Sequence, residues 1–252
     1  MRGNLLVAVS CATVLAGATA AAAQQPPLYP IPPENCPRTS NNIIGTEGND
    51  MRGGTPLNDL MLGLGGDDMY EGESGDDCLV MGVGNDRGNG GEGNDALFGE
   101  DGIDRLGGND GDDRVDGGSG NDLMDGGDGN DRLLGDDGDD RIVAGNARDS
   151  VRGGPGKDTI SLGGAVDRVN GGEGNDRLFG GPQNDALNGA GGNDLIRGDT
   201  GRDRILGGSG NDRINVQDGE RDRVTCGPGR DRVKVDVKDR VSRNCEIIRA
   251  IG

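Results

Sequence analysis

Residues 171–179 read GGEGNDRLF, and the same phrase returns along most of the chain. Clean copies stand at 90–98 (GGEGNDALF), 117–125 (GGSGNDLMD), 126–134 (GGDGNDRLL) and 207–215 (GGSGNDRIN). The aspartate in sixth place recurs every nine residues from Asp50 to Asp212 without a miss. After a one-residue slip it returns at Asp222 and Asp231. Two residues beyond it usually comes one aliphatic side chain, as at Leu97, Leu106, Val115, Leu133, Ile142, Val151, Ile160, Leu178, Ile196, Ile205 and Ile214. A period this strict marks a stacked repeat architecture, here over residues 45–232.

The chemistry of one copy predicts its shape. Gly171, Gly172 and Gly174 tolerate positive backbone angles, so the first six residues are expected to form a tight turn. Arg177, Leu178 and Phe179 are left to form a very short strand, with Leu178 facing away from its two neighbours. Two copies then make one coil of 18 residues, with turns on opposite edges and parallel strands between them. The expected fold is an all-β solenoid in which residue i lies under i+18, about 4.8 Å below.

Such stacking lines up the carboxylates. One edge carries Asp50, Asp68, Asp86, Asp104, Asp122, Asp140, Asp158, Asp176, Asp194 and Asp212. The other carries Asp59, Asp77, Asp95, Asp113, Asp131, Asp149, Asp167, Asp185 and Asp203. Columns of like charge one strand spacing apart repel one another unless counter-ions intervene. Carboxylates beside exposed turn carbonyls make an all-oxygen site, which suits Ca²⁺ above softer metals.

Bulk composition points the same way. Aromatics are 2% of the chain, Trp is absent, and 45 acidic against 26 basic residues leave a net charge of -19. Low hydrophobicity with high charge is the signature of a chain that does not fold alone. Periodicity and composition agree if cations must bind before the chain compacts, so ion binding contributes directly to folding. The acidic balance disfavours nucleic acid as a partner. The absence of His removes the usual general base and most zinc sites.

The repeat resembles the G-G-x-G-x-D-x-U-x nonapeptide of the RTX, or haemolysin-type calcium-binding, family. The densest local match is Asp194, Ile196, Gly201, Asp203, Ile205, Gly207, Gly208 and Asp212. The resemblance implies a parallel β-roll holding several Ca²⁺ ions between successive turns, through Asp side chains and turn carbonyls. The Asp residues matched in this way are Asp50, Asp68, Asp77, Asp86, Asp95, Asp104, Asp113, Asp122, Asp131, Asp140, Asp158, Asp176, Asp194, Asp203 and Asp212. A dinucleotide-binding loop is excluded, because its glycines need a preceding apolar strand and a following helix. A disordered glycine-rich linker has no reason to keep phase.

Departures from the phrase fall unevenly. On the first edge the glycine two before Asp stands in all ten copies, from Gly48 to Gly210. On the second it gives way to Leu57, Ala147, Ala165, Gln183 and Glu220. We therefore expect a continuous ion row on the first edge. The second edge should hold a good run from Asp77 to Asp131 and gaps around Asp149, Asp167 and Asp185. Gly88 replaces the core aliphatic after Asp86, which should leave one core place empty.

The flanks read as delivery and capping. Residues 1–23 carry Arg2, an apolar run from Leu5 to about Gly17 and a small-residue stretch at Ala20–Ala23, the pattern of a secretory signal peptide. That run is too short for a confident membrane span, and Cys11 inside it raises lipidation only as a minor alternative. Residues 24–44 hold six prolines and read as an extended spacer. Four cysteines then remain, and three pairings are open. Cys226 with Cys245 is favoured, since nineteen residues place them on neighbouring coils, leaving Cys36 with Cys78. Residues 233–252 break the phrase with Val233, Val235 and Val237 and are expected to form a disulfide-pinned C-terminal cap.

These observations predict a secreted, monomeric calcium-binding protein that is not an enzyme, since no stretch outside the array is long enough for a catalytic domain. An adhesin or cell-envelope scaffold is the alternative. Its anionic glycan would meet the Arg residues that follow many of the aspartates, Arg87, Arg105, Arg114, Arg132, Arg141, Arg168, Arg177, Arg204, Arg213, Arg223 and Arg232. The plainer reading of those arginines is a solvated face that offsets the acidic turns.

Overall fold

The computed structural model describes residues 36–249. Its strands form two parallel sheets of twelve strands each, joined alternately as the chain winds. Sheet A runs from Asn41–Ile44 through alternate strands to Arg240–Val241, and sheet B from Met51–Gly53 to Glu246–Arg249. Each strand pairs with the one a full coil away. Leu133 stands opposite Val115 and Val151, and Ile142 opposite Met124 and Ile160, so the register is 18 residues. This is the expected β-roll.

The core is one column between the sheets. Leu97, Leu106, Val115, Met124, Leu133, Ile142, Ile160, Leu178, Ile196, Ile205 and Ile214 are all buried in it. Side chains alternate along a strand, so one residue of each x-U-x triplet enters the column and its neighbours face out. Burying each such side chain contributes about 2 kcal/mol. The Gly88 gap is not empty: a Cβ there would lie 3.3 Å from Met81 Sδ and 3.2 Å from Leu106 Cδ2. Met81 fills it from the first place of its own repeat. Ala144, Leu162, Val216, Cys226 and Val235 enter the core from equivalent places.

Strands are longer than the phrase alone suggests. Arg177–Phe179 has the expected three residues, but Arg132–Asp137, Arg141–Asn146 and most others have six. The strand continues through the first two glycines because the second adopts positive φ, for example Gly127 at 105° and Gly172 at 116°. That bend lets backbone pairing go on towards the turn, which shrinks to the G-N-D triplet. The one-residue slip lies between Val216 and Asp222, after which Arg204 pairs with Arg223 at 19 residues.

The start of the roll also differs from expectation. Asn41–Ile44, assigned above to the spacer, forms the first strand of sheet A, opposite Asp59–Leu62. Past the last repeat, Arg240–Val241 and Glu246–Arg249 extend both sheets by one more strand. Cys36 is bonded to Cys78 and Cys226 to Cys245. A second apolar cluster of Leu60, Leu62, Cys78, Val80, Ala96 and Phe98, with Cys36 and Ile44 against it, lies on the outer face of sheet A near its start. The proposed signal peptide and most of the spacer lie outside the described residues. Among those residues no helix is long and apolar enough to cross a membrane.

Candidate metal centre

Every repeat aspartate from Asp59 to Asp231 is buried, with 0 to 3% of its surface exposed. Position decides this: the residue after the G-N turn points back between the two sheets' edges, above the same residue of the coil below. One carboxylate oxygen is used structurally. Asp140 Oδ1 accepts a hydrogen bond from the Asp122 backbone N–H at 2.9 Å, and Asp158 Oδ1 from Asp140 N–H at 2.9 Å. The same bond runs up both edges, as from Asp131 N–H to Asp149 Oδ1 at 2.9 Å. Each carboxylate thus ties its coil to the one before it.

The second oxygen is left alone. Oδ2 of every repeat Asp from Asp68 to Asp231 is buried without a hydrogen-bond partner. An unsatisfied buried acceptor costs about 1–3 kcal/mol, and more when charged. Desolvation accordingly pushes Asp104, Asp113, Asp140, Asp149, Asp158, Asp185 and Asp203 up to about 7, although the backbone hydrogen bond pulls each down. Asp86, Asp95, Asp131, Asp194 and Asp212 reach about 6 for the same reason. Near neutral pH these columns hold carboxylates poised between a proton and a cation.

What surrounds Oδ2 is oxygen and glycine. A Cβ on Gly117 would lie 2.5 Å from Asp122 Oδ2 and 2.9 Å from the Gly135 carbonyl oxygen of the next coil. Gly207 would meet Asp212 Oδ2 at 2.5 Å and the Cys226 carbonyl oxygen at 2.6 Å. The first glycine of the phrase is therefore required by close approach: it leaves a cradle bounded by carboxylate and carbonyl. Among the described residues no three carboxylates converge on one point. Main-chain carbonyls would have to complete any coordination shell. An orphaned anionic oxygen beside carbonyls is a donor set for a hard cation of the Ca²⁺ type.

Not all cradles are alike. Ala144, Leu162 and Met81 stand at the first place before Asp149, Asp167 and Asp86, where glycine is usual, and their side chains are buried in the core. The turns differ too. Gly120, Gly138 and Gly156 take φ of 145°, 155° and 148°, whereas Ala147, Ala165 and Gln183 are held at 69°, 79° and 86°.

A feature beyond the sixth-place aspartates is the residue before each. Asn130 N–H donates to Asp112 Oδ1 at 2.8 Å, and Asn211 N–H to Asn193 Oδ1 at 2.8 Å, so an exposed Asn/Asp ladder runs outside the buried one. Its sequence signal is the N of G-N-D. It is interrupted where Arg148 and Val166 take that place.

The family model for the RTX calcium-binding nonapeptide repeat matches the chain in successive blocks from 54–79 and 80–107 through to 163–196 and 188–220. The chain belongs to the RTX calcium-binding nonapeptide repeat family. A search of curated proteins finds no match for it. The RTX blocks cover most of the stretch in which Oδ2 is orphaned on both edges, with Asp222 and Asp231 beyond them. They leave outside the first strand of each sheet and the strands from Arg223–Thr225 onward.

Proposed function

We propose that this RTX protein is an exported calcium-binding roll whose activity is the binding of several Ca²⁺ ions coupled to its own folding. The observation that carries this reading is the column of buried Asp Oδ2 atoms without partners. When bound, the ion supplies the positive charge those oxygens lack. The chain supplies Asp50, Asp68, Asp77, Asp86, Asp95, Asp104, Asp113, Asp122, Asp131, Asp140, Asp158, Asp176, Asp194, Asp203 and Asp212, together with main-chain carbonyls at the first place of the repeat. Carboxylates that repel one another in the free chain become shared anchors between coils, so binding at one cradle prepares the next. Export is supported by the signal-like N-terminus and the two disulfides, since disulfides persist in oxidising compartments. A binding role rather than catalysis fits a chain without His.

Far-UV circular dichroism of residues 24–252 during titration with CaCl₂, and separately with MgCl₂, tests the proposal. A cooperative gain of β signal with Ca²⁺ alone is the expected result. A spectrum already β-rich in excess chelator at pH 7.5, unchanged by Ca²⁺, would overturn it.

A further inference from the structure

A groove of about 310 Å³ lies on the outer face of sheet A, across the strands Arg132–Asp137, Ser150–Pro155, Arg168–Glu173, Ala186–Gly191 and Arg204–Ser209. One wall is the column Arg132, Ser150, Arg168, Ala186, Arg204, each residue in register with the next. Arginine therefore alternates with a small residue. The facing wall includes Arg152, Asn170 and Asn188. No carboxylate lines the groove, in a chain whose net charge is -19.

These arginines are free to take a ligand. The ion pairs among the described residues are Arg52–Asp50, Arg114–Asp116, Arg197–Asp199 and Arg202–Glu220, and none involves Arg132, Arg152, Arg168 or Arg204. Asn170 Oδ1 is buried and has no hydrogen-bond partner. On the opposite sheet the comparable arginines stand in a different setting: Arg177 and Arg213 share their groove with Asp176 and Asp194.

We infer that this groove binds a linear acidic polysaccharide carrying one carboxylate per disaccharide. Arg132, Arg168 and Arg204 are two strand spacings apart, about 9.6 Å, and so meet charges at that interval rather than at every sugar. The planar guanidinium takes a carboxylate through two parallel hydrogen bonds. Ser150 and Ala186 leave room for the uncharged ring between. Asn170 and Asn188 offer amides to ring hydroxyls. Single-stranded nucleic acid fits less well, because its recognition relies on aromatic stacking platforms and the groove lining contains no aromatic residue.

The inference needs the folded roll but no particular number of ions, so binding is measured with CaCl₂ present and circular dichroism on the same sample. Hyaluronate oligosaccharides are the probe, with neutral dextran and a single-stranded oligonucleotide as comparisons. Wild-type protein is expected to bind hyaluronate and to ignore dextran. The variant R132A/R168A/R204A should weaken binding by at least about tenfold, the scale of a lost charge-assisted contact. The variant R141A/R177A/R213A removes equal charge from sheet B and should change affinity by less than about twofold if the groove, not net charge, recognises the sugar. Equal losses in both variants, tighter binding of the oligonucleotide, or no hyaluronate binding by folded wild type would each overturn the inference.

Discussion

Asp140 and Asp149 are neighbours in the repeat and opposites in their surroundings. Both are 2% exposed, both accept a 2.9 Å hydrogen bond from the coil before, and both keep an orphaned Oδ2. Burial pushes each up to about 7. Yet Asp140 follows Gly135 and a turn at Gly138 with φ 155°, while Asp149 follows buried Ala144 and a turn at Ala147 with φ 69°. Stacking alone buries a carboxylate and bonds one of its oxygens. On the proposed reading, room for a cation at the other oxygen is a separate matter, set by glycine at the fourth place. The period of aspartate therefore counts coils, and the glycines count cradles.

The largest effect should come from removing the ion altogether, since that abolishes the distinction. In chelator every buried Asp is left with a proton or a bare charge. Burial holds Asp104 and Asp140 at about 7 and Asp194 at about 6, above the unfolded value of about 3.9, so the folded chain binds more protons across that window. Stability without Ca²⁺ is then greatest near pH 4 and is lost as pH rises through 7. Circular dichroism in chelator should show more β structure at pH 4.5 than at pH 7.5, and millimolar Ca²⁺ should reverse that order. A chelated roll that gains stability towards pH 7.5 would break the electrostatic account of both edges.

A smaller effect separates the two aspartates directly. Asp140→Asn keeps an Oδ1 acceptor but removes the charge, and should cost about 2 kcal/mol of Ca²⁺-loaded stability in urea unfolding, as expected for loss of a charged contact. It should also release bound calcium by atomic absorption. Asp149→Asn should leave the calcium count unchanged and stabilise the chelated protein, because an uncompensated buried charge disappears. Equal calcium loss in both variants would erase the comparison.

Filling a cradle comes next. Gly135→Ala places a methyl group against Asp140 Oδ2, and should cost about 1–3 kcal/mol by overpacking, with weaker Ca²⁺ binding in calorimetry. The least effect is expected at the strained turns. Ala147→Gly and Ala165→Gly relieve left-handed alanine and should each add about 1 kcal/mol to thermal stability in Ca²⁺. No gain at either would mean that those turns are relaxed by their surroundings.

Much of this was legible before any coordinates. The 18-residue register, the two Asp columns and the aliphatic column follow from the spacing of Asp104, Asp122 and Leu97, because a solenoid coil has one length and its side chains one period. Less legible was the role of Met81, Ala144 and Leu162. Each stands where the phrase has its first glycine, and nothing in a nine-letter pattern says which way that residue points. The six-residue strands are not legible for a related reason: glycine pairs read as turn, yet a single positive φ at the second of them lets pairing continue. The first strand, Asn41–Ile44, was hidden by the proline run before it.

The sequence by itself determined the repeat, its phase, the all-β stack and the acidic edges, because each depends on distances along the chain that are fixed by period. Only the tertiary structure decided that each carboxylate spends one oxygen on the neighbouring coil and leaves the other bare. Only it showed that arginines thirty-six residues apart face one groove free of carboxylates. Those facts depend on which atoms meet between coils. Contacts across a stack are set by side-chain direction and backbone bend, which a linear pattern does not carry.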